Sequence, residues 1–458
     1  MGRFGSRWAE SPVWDHDGAM MSHNQGMCMS DRSPFPRSAR TALPAPLAAI
    51  CAIVMCLALA GCGAIGTQSA PSGDDSSLPG GGPSAASSSA ALPSPTDPSS
   101  PDGSSSPAAT DDSPQSRARA MVASMSLEER IGQLVMVPLF AGTDASQIEP
   151  LIRDDHVGSV LVLGKWKTGM AGVSQATKAL QSYAPAGNGL IIATDQEGGS
   201  VQHLTGEGFS TMPSAVRQGK MSTDALRESA AIWGEELASA GVNVDLAPVL
   251  DTVRVARKSN APIGALNRDF GLDATGNADH GVAFVQGMRD AGVQSAVKHY
   301  PGLGGVTGNT DFTAEGITDR TTAFGDEAVV AFDDAIRQAQ PAMVMMSLAT
   351  YANIDGSAPA AFSKAIVTDH LRGKAGYQGV VISDSLSAEA LGGIATDQLG
   401  VRLVEAGGDL ACIGASDYVR PIIDGLVARA KSDAAFADLV ADAAVRVVTL
   451  KIGMGLAG

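Results

Sequence analysis

The segment that best indicates the fold reads VQSAVKHYPGLGGVTGNTD, over residues 293–311. A largely apolar run over 293–297 ends abruptly at two titratable side chains, Lys298 and His299, and Pro301 then prevents a ladder from continuing. The glycine-rich segment that follows indicates a loop. α/β enzymes present reactive groups in this way, on a loop at the end of a buried strand. An ordinary strand-to-loop junction, with the lysine facing water, fits these residues equally well.

Similar runs recur along the chain and predict a barrel. Strands of this kind that alternate with helical patterns indicate a parallel sheet covered by helices on its outside. Eight repeats favour a (β/α)8 TIM-type barrel over an open doubly wound sheet. The loop after Pro301 lacks the glycine spacing of nucleotide-binding loops. The eight runs are 131–139, 157–163, 189–193, 242–247, 293–297, 342–346, 379–382 and 409–413, with helices predicted over 223–240, 274–291, 326–339, 396–406 and 434–450.

The composition limits the partners and cofactors. The chain has 458 residues, of which 44% are hydrophobic, so one large domain with appendages is expected. A net charge of −16 argues against nucleic acid as a partner, because phosphate binding needs basic patches. Four of the five cysteines precede residue 63 and the fifth is Cys412, which supports neither a disulfide framework nor a cysteine zinc site. With no His-x-x-x-His pair either, no metal site is predicted.

The N-terminal part of the chain predicts export and membrane attachment. Basic residues, a nearly apolar stretch over 43–60 and small residues after it predict a signal peptide over 1–61. The end of this segment, Leu59-Ala60-Gly61-Cys62, resembles a bacterial lipobox, in which the cysteine is acylated; a plain transmembrane helix is the alternative. Residues 62–115, rich in Ser, Pro and Gly, predict a disordered tether before a folded domain over 116–458. We therefore expect an extracytoplasmic protein that is lipid-anchored to the cell membrane through Cys62.

Charged side chains follow several of the predicted strands. Asp195 follows the third run, Arg268 lies in the loop after the fourth, Lys298 and His299 follow the fifth, and Asp384 follows the seventh. In a (β/α)8 barrel the carboxyl ends of all strands meet on one face, so these side chains should converge on one pocket. Such a set of polar groups is typical of a site for a hydroxyl-rich ligand.

Each of these residues also has a structural interpretation. Asp384 could be the N-cap of a following helix, although the serines on either side of it could serve as well. Asp195 could be a turn residue before two glycines. Arg268 could pair with Asp269 or Asp251 as part of the scaffold. Four such coincidences on one face of a barrel favour a functional site.

Four motifs, in this order and spacing, resemble glycoside hydrolase family 3 over most of residues 116–458. They are Asp195-Gln-Glu-Gly-Gly, Asn267-Arg, Lys298-His-Tyr-Pro-Gly and Ser383-Asp-Ser-Leu-Ser. The chain is most similar to the single-domain β-N-acetylglucosaminidases (β-hexosaminidases) of that family. Its lipobox and tether are similar to those of the secreted lipoprotein branch.

The resemblance implies a (β/α)8 barrel and a retaining double displacement through a covalent glycosyl-enzyme. Asp384 matches the family's nucleophile, and Asp195, Arg268, Lys298 and His299 match residues that hold the hydroxyls of the terminal sugar. A nucleophilic carboxylate must stay ionised, and the nearby cations should lower its pKa. Two carboxyl groups suffice for this chemistry, so no cofactor is expected.

The chain departs from the family pattern in the loop after the fifth strand. Where the N-acetylglucosaminidases carry Asp-Ser-His, with the histidine as acid/base, this chain has Asn309-Thr310-Asp311. Either Asp311 is the general acid, with a raised pKa in a closed site, or the acid function is weakened or lost. We favour the first hypothesis, because retaining glycosidases ordinarily use a second carboxyl group. An ionised Asp311 would repel phosphate, so hydrolysis rather than phosphorolysis is expected.

Two further departures concern substrate contacts. The usual Arg-Val-Gln-Arg is replaced by Ser200-Val201-Gln202-His203, and a usual histidine after the sixth strand is replaced by Leu348. His203 is a candidate sugar ligand, although a structural role is equally compatible. We expect a monomeric exo-acting β-N-acetylglucosaminidase of cell-wall or related oligosaccharides. The alternatives are a β-glucosidase of the same family and a sugar-binding lipoprotein with impaired catalysis.

Overall fold

The computed structural model of the protein describes residues 112–458. The predicted signal peptide, the predicted lipidation site Cys62 and the predicted tether up to residue 111 lie outside these residues. The first described helix begins at Pro114, just before the predicted start of the folded domain at residue 116. Between residues 112 and 458, no helix is both long and apolar enough to cross a bilayer.

Eight parallel strands form the wall of a closed barrel, which confirms the predicted (β/α)8 TIM-type fold. In chain order the strands of the described chain are β1 Val135–Phe140, β2 Ser159–Leu163, β3 Ile191–Thr194, β4 Gln196–Gly198, β5 Val201–Gln202, β6 Val244–Asp245, β7 Gln294–Tyr300, β8 Thr318–Asp319, β9 Met343–Met346, β10 Thr350–Tyr351, β11 Asp355–Pro359, β12 Val380–Ser383 and β13 Ala411–Cys412. Hydrogen bonding places the eight barrel strands in the order β12-β9-β7-β6-β3-β2-β1-β13. A parallel bridge between Ile382 of β12 and Leu410, next to β13, joins the two ends of this order.

The barrel wall buries apolar side chains on both faces, as expected of a parallel sheet under helices. Ala193, Ala296 and Ile382 belong to the cluster that fills the barrel interior. Their neighbours Ile192 and Val381 belong to the larger cluster between the wall and the surrounding helices. Successive side chains of a strand point to opposite faces, so this alternation also determines which residues at the strand ends face the axis.

Helices cover the outside of the barrel, and capping side chains mark several of their starts. At α2 the Ser126 hydroxyl accepts a hydrogen bond from the Glu129 N–H, while the Glu129 carboxylate accepts one from the Ser126 N–H. Asp273 and Asp433 cap α7 and α11 with their carboxylates. The helices are α1 Pro114–Ser124, α2 Leu127–Gln133, α3 Glu149–Arg153, α4 Gly169–Tyr183, α5 Ala215–Gln218, α6 Thr223–Ser239, α7 Ala274–Asp290, α8 Glu327–Ala339, α9 Thr396–Glu405, α10 Val419–Ser432 and α11 Ala434–Gly453, and a π-helix spans Ala365–Lys374.

The structure corrects two predicted boundaries. The first predicted strand began too early, because residues 131–133 complete α2 and β1 begins at Val135. An apolar run alone does not separate a buried helical turn from a strand, and Ile131 is fully buried in its helix. The fifth strand, in contrast, continues through Lys298 and His299 to Tyr300. Both side chains are buried against acidic partners, so the polar residues do not end the strand.

Candidate active site

Three strand ends direct charged side chains into the mouth of the barrel. Asp195, Lys298 and Asp384 each follow, by two positions, an inward-facing apolar residue of β3, β7 or β12. The alternation of a strand therefore points all three side chains towards the barrel axis. They gather at the carboxyl-terminal ends of the strands, as predicted.

Lys298 is the centre of an ion-pair cluster. Its Nζ lies 2.6 Å from Oδ1 of Asp195 and 2.6 Å from Oε1 of Glu197. Arg268 binds the same Glu197 with two hydrogen bonds, from Nε at 2.9 Å and from Nη2 at 2.7 Å. The side chains of Lys298 and Glu197 are each only 2% exposed. Two cations and two carboxylates thus hold one another in a fixed arrangement, as charge-assisted pairs do in a dry site.

The cluster favours the charged forms of Glu197, Lys298 and Arg268. Burial opposes the charge of Glu197, but the charges of Arg268 and Lys298 outweigh it and hold the pKa of this carboxyl well below its usual range. Burial also opposes the charge of Lys298, but Asp195 and Glu197 raise the pKa of Lys298 above its ordinary value. At neutral pH the floor of the pocket therefore carries fixed charges that suit the hydrogen-bonding of hydroxyl groups.

His299 is oriented by Asp251, which lies in the segment after β6. His299 Nδ1 donates to Asp251 Oδ2 at 2.7 Å, and the Leu303 N–H donates to Oδ1 of the same carboxylate at 2.7 Å. Asp251 is fully buried. The other ring nitrogen, Nε2, lies 3.5 Å from Nη2 of Arg268, so it is turned towards the ion cluster. The peptide bond between Lys298 and His299 is cis.

Arg268 reaches the pocket from the long loop between β6 and α7. It pairs with Glu197, so the scaffold role considered from the sequence, a pair with Asp269 or Asp251, is wrong. Asp269 instead accepts two hydrogen bonds from Arg257, at 2.7 and 2.9 Å, and these fix the loop behind Arg268.

A short hairpin brings His203 back to Asp195. β4 and β5 pair antiparallel, and His203 follows directly after β5. Its Nε2 lies 3.8 Å from Oδ2 of Asp195. Burial lowers the pKa of His203 from its ordinary value, although Asp195 acts in the opposite direction. His203 is therefore at the pocket and favours the neutral form.

Asp384 does not cap the helical turn that follows it. Its half-buried carboxylate accepts a hydrogen bond from the N–H of the next residue, Ser385, at 2.8 Å. The first helical turn after it, Glu389–Leu391, begins with Ala388 at its N-cap position. The interpretation of Asp384 as an N-cap is therefore wrong, and its carboxylate remains available to a ligand.

The loop that carries Asp311 is attached to the segment after Asp384. The N–H groups of Glu389 and Ala390 donate to the carbonyl oxygens of Asp311 and Thr310, at 3.2 and 3.0 Å. At its far end the loop runs into β8, which pairs with β10. These hydrogen bonds attach the Asp311 loop to the segment that follows Asp384, so both carboxyl groups lie at the same pocket.

The charge of Asp384 acts on Asp311. Partial removal from water, and then the negative charge of Asp384, raise the pKa of Asp311 to about 6, while Arg268 and His299 act in the opposite direction. Since Asp311 remains open to solvent at the pocket mouth, repulsion by Asp384 is the cause that follows most directly from the geometry. The pocket therefore pairs one carboxyl group that binds a proton readily with a second carboxyl group nearby.

Sequence reasoning missed three acidic residues around the site. Glu197 was quoted within a motif but was given no role, and Asp251 was considered only as a partner of Arg268. Asp245 lies in β6, fully buried, and its Oδ1 accepts from the Gln196 N–H at 2.9 Å. An acidic residue inside or just after an apolar strand is a signal that would have found all three. In residues 112–458, no group of three or more histidine, cysteine, aspartate or glutamate side chains is placed to hold a metal ion.

Known proteins are similar to this chain in sequence and fold. The profile of the glycosyl hydrolase family 3 N terminal domain matches residues 126–450. A beta-hexosaminidase of Xylella fastidiosa (strain M23) is 30% identical over 309 residues, which cover 66% of this chain and 89% of that protein. Beta-hexosaminidase LpqI of Mycobacterium tuberculosis (strain ATCC 25618 / H37Rv) is 30% identical over 340 residues, covering 71% and 83%.

A solved structure extends the similarity. The beta-N-acetylhexosaminidase from Beutenbergia cavernae DSM 12333 is 42% identical, has a TM-score of 0.68, and matches 73% of this chain and 99% of that one. These relatives confirm the prediction of an enzyme of the glycoside hydrolase type. The matched residues contain the whole barrel and every side chain of the pocket described above, and the chain belongs to glycosyl hydrolase family 3.

Proposed function

We propose that the protein is a retaining, exo-acting β-N-acetylglucosaminidase that hydrolyses terminal β-linked N-acetylglucosamine from cell-wall or related oligosaccharides. The observation that carries this proposal is the pairing of Asp311 and Asp384 at one pocket, next to a cluster of fixed charges. The names of the three relatives, two beta-hexosaminidases and a beta-N-acetylhexosaminidase, support an N-acetylated amino sugar of the hexosamine class, to which N-acetylglucosamine belongs.

In the first step, the Asp384 carboxylate attacks the anomeric carbon of the terminal sugar. The bond between that carbon and the glycosidic oxygen breaks, and Asp311 gives its proton to the departing oxygen. In the second step, Asp311, now ionised, takes a proton from water. That water attacks the anomeric carbon and releases Asp384, so two displacements at one carbon retain its configuration.

The other pocket residues bind and orient the sugar in this proposal. Asp195, Lys298 and Arg268 meet at the barrel floor and offer hydrogen-bonding groups to the hydroxyls of a sugar. His299, fixed by Asp251, and His203 complete the binding set. Because these side chains already hold one another in place, the site is organised before substrate arrives.

The predicted signal peptide and lipobox support an extracytoplasmic location, with the lipid at Cys62 as the membrane anchor. On this proposal the enzyme acts as a monomer on oligosaccharides outside the cytoplasm.

The test compares 4-nitrophenyl β-N-acetylglucosaminide with the corresponding β-glucoside, using the full chain, Asp384→Asn and the exposed control Asp279→Asn on α7. We expect the wild-type chain to release 4-nitrophenol from the amino sugar. Removal of the nucleophile in Asp384→Asn should lower kcat/KM by at least about a thousandfold. Asp279→Asn should react at the wild-type rate. Release only from the glucoside would change the specificity and keep the mechanism. Binding of the sugar without release from either substrate would identify a binding protein.

A further inference from the structure

Phe312, the residue after Asp311, is the most exposed of the large hydrophobic side chains in residues 112–458. It is 63% exposed, and it belongs neither to a hydrophobic cluster nor to the side chains packed against one. Single apolar side chains are ordinary on a protein surface, so this exposure alone decides nothing. Its position at the mouth of the pocket, beside the proposed acid, suggests a use.

The backbone that carries Phe312 is held firmly. The N–H groups of Phe312 and Thr313 both donate to the Asn309 carbonyl oxygen, at 3.0 and 3.1 Å, and the Asp311 N–H donates to Asn309 Oδ1 at 3.0 Å. The same turn is joined to the segment after Asp384 through the hydrogen bond from Glu389 to Asp311. The Phe312 ring therefore extends into solvent from a fixed backbone.

The proposed reaction determines which part of a substrate lies near this ring. A general acid must contact the glycosidic oxygen, which joins the terminal sugar to the leaving group. The terminal sugar occupies the ion cluster at the barrel floor. The leaving group therefore occupies the mouth, on the side of Asp311, where Phe312 lies.

A second exposed apolar side chain lies in the loop that carries Arg268. Leu266 is 37% exposed and lies two positions before Arg268, in the loop that enters the pocket. Pyranose rings have C–H faces that pack against apolar and aromatic side chains, and carbohydrate pockets are partly apolar for this reason. A sugar held at the mouth would thus find apolar surface next to the charged floor.

We propose that Phe312 is the packing platform for the leaving-group sugar, the pyranose ring on the far side of the bond that is cleaved. Phe312 is then a specificity-determining residue that favours oligosaccharides over small leaving groups. This inference depends on the proposed function, because it places Phe312 by the position of the acid.

The test measures kcat/KM of the full chain on two substrates that differ only beyond the cleaved bond. In N,N′-diacetylchitobiose the leaving group is a second sugar, whereas in β-N-acetylglucosaminyl fluoride it is a single atom that does not reach Phe312. A nitrophenyl glycoside is avoided because its ring can itself stack on phenylalanine. We expect Phe312→Ala to lower the chitobiose-to-fluoride ratio about fivefold to tenfold, as expected for loss of an aromatic packing contact.

Two further variants complete the design. Phe312→Tyr keeps the ring and should restore most of the ratio. Ile232→Ala removes another exposed apolar side chain, 55% exposed on α6, and should leave both rates at the wild-type level. A Phe312→Ala variant with an unchanged ratio would refute the platform while leaving the proposed function intact. A wild-type chain that cleaves neither substrate would instead refute the proposed function, and the platform with it.

Discussion

Asp311 is the residue at which the chain departs from the family pattern in the loop after the fifth strand. In the proposed reaction this carboxyl group must be protonated before the first step, and at neutral pH an ordinary aspartate is not. Its surroundings increase the protonated fraction, because the pocket and the Asp384 charge raise the pKa of Asp311 to about 6. The second hypothesis, a weakened acid function, would need a carboxyl group that titrates in the usual range.

The pH profile separates the two hypotheses. Since the raised pKa keeps Asp311 protonated up to about pH 6, kcat/KM should be maximal below that pH and fall above it, roughly tenfold per pH unit. The measurement is kcat/KM on chitobiose from pH 4 to 8. Asp311→Asn should lose this limb together with at least a hundredfold in rate. Glu389→Gln, which removes an exposed carboxylate from the adjoining segment, should keep the limb; its loss there would exclude Asp311 as the titrating group.

Asp245 provides a second titration, one that affects stability. It is fully buried in β6, and its Oδ2 has no hydrogen-bond partner among the described residues. Burial, with repulsion from Asp195 and Glu197, raises the pKa of Asp245 to about 8. The folded state therefore holds this proton more tightly than the unfolded state. Stability from this group is fully present below about pH 4 and is lost progressively as the pH rises to about 8.

Asp245→Asn should remove this dependence, because an amide keeps the oxygen that accepts the Gln196 N–H and does not titrate. Between pH 5 and pH 8 the wild type should lose roughly a few kcal/mol of stability that the variant does not lose. The Tm of the variant minus the Tm of the wild type should therefore increase by roughly several °C over this range. Differential scanning calorimetry at the two pH values measures this difference. Asp224→Asn, at an exposed position on α6, serves as the control and should show none. A constant offset between Asp245→Asn and wild type would mean that Asp245 is ionised throughout.

At the scale of elements, the loop over 302–317 determines whether the acid is in place. Gly308 lies in this loop, three residues before Asp311, and a Cβ added to it would be 1.9 Å from the Glu315 carbonyl oxygen. That neighbour is backbone, so the loop itself must shift to admit a methyl group. Gly325, at the end of the next segment, has open space around the corresponding position.

Gly308→Ala should therefore affect acid catalysis more than binding. A displaced Asp311 matters most for a poor leaving group, so we expect kcat/KM on chitobiose to fall at least tenfold and the rate on the fluoride to fall much less. Steady-state kinetics on the two substrates test this, with Gly325→Ala as the control expected to match wild type. Equal losses on both substrates would mean that the loop shapes the whole pocket instead of the acid alone.

The same elements explain what the sequence could predict. All eight barrel strands were found because each is a short apolar run, and a strand buried on both faces needs apolar side chains throughout. The hairpin of β4 and β5, and the small sheet of β8, β10 and β11, were not predicted. These short strands lie in polar loops, and their pairing depends on where the barrel places them rather than on local periodicity.

The site was predicted as a set of residues but not as a set of pairs. Period-two alternation brings Asp195, Lys298 and Asp384 together once the strands are known. The partners of Arg268 and His299 are distant in sequence, at Glu197 and Asp251, so local spacing does not reveal them. These pairs form because the barrel brings distant segments of the chain together, so they are a property of the whole fold.

For the molecule as a whole, the charge of the pocket bears on which acceptor completes the reaction. The chain carries a net charge of −16, and the pocket brings together Asp195, Glu197, Asp311 and Asp384 against the two permanent cations Lys298 and Arg268. Both cations already bind carboxylates. After Asp311 has given up its proton, an anionic acceptor would approach the anomeric carbon next to an uncompensated negative charge, whereas water approaches without repulsion.

We therefore expect hydrolysis to be independent of phosphate. Release of N-acetylglucosamine from chitobiose should be the same with and without 50–100 mM phosphate (roughly the range in which a weak acceptor would saturate), with sulfate matching the ionic strength to hold screening constant. Mass spectrometry of the products should detect the free sugar and no sugar 1-phosphate. The variant Asp311→His removes the negative charge at this position, so any use of phosphate should be greater in it than in wild type. Sugar 1-phosphate formed by the wild-type chain would contradict the charge argument, because it would require an anion to enter beside an ionised Asp311.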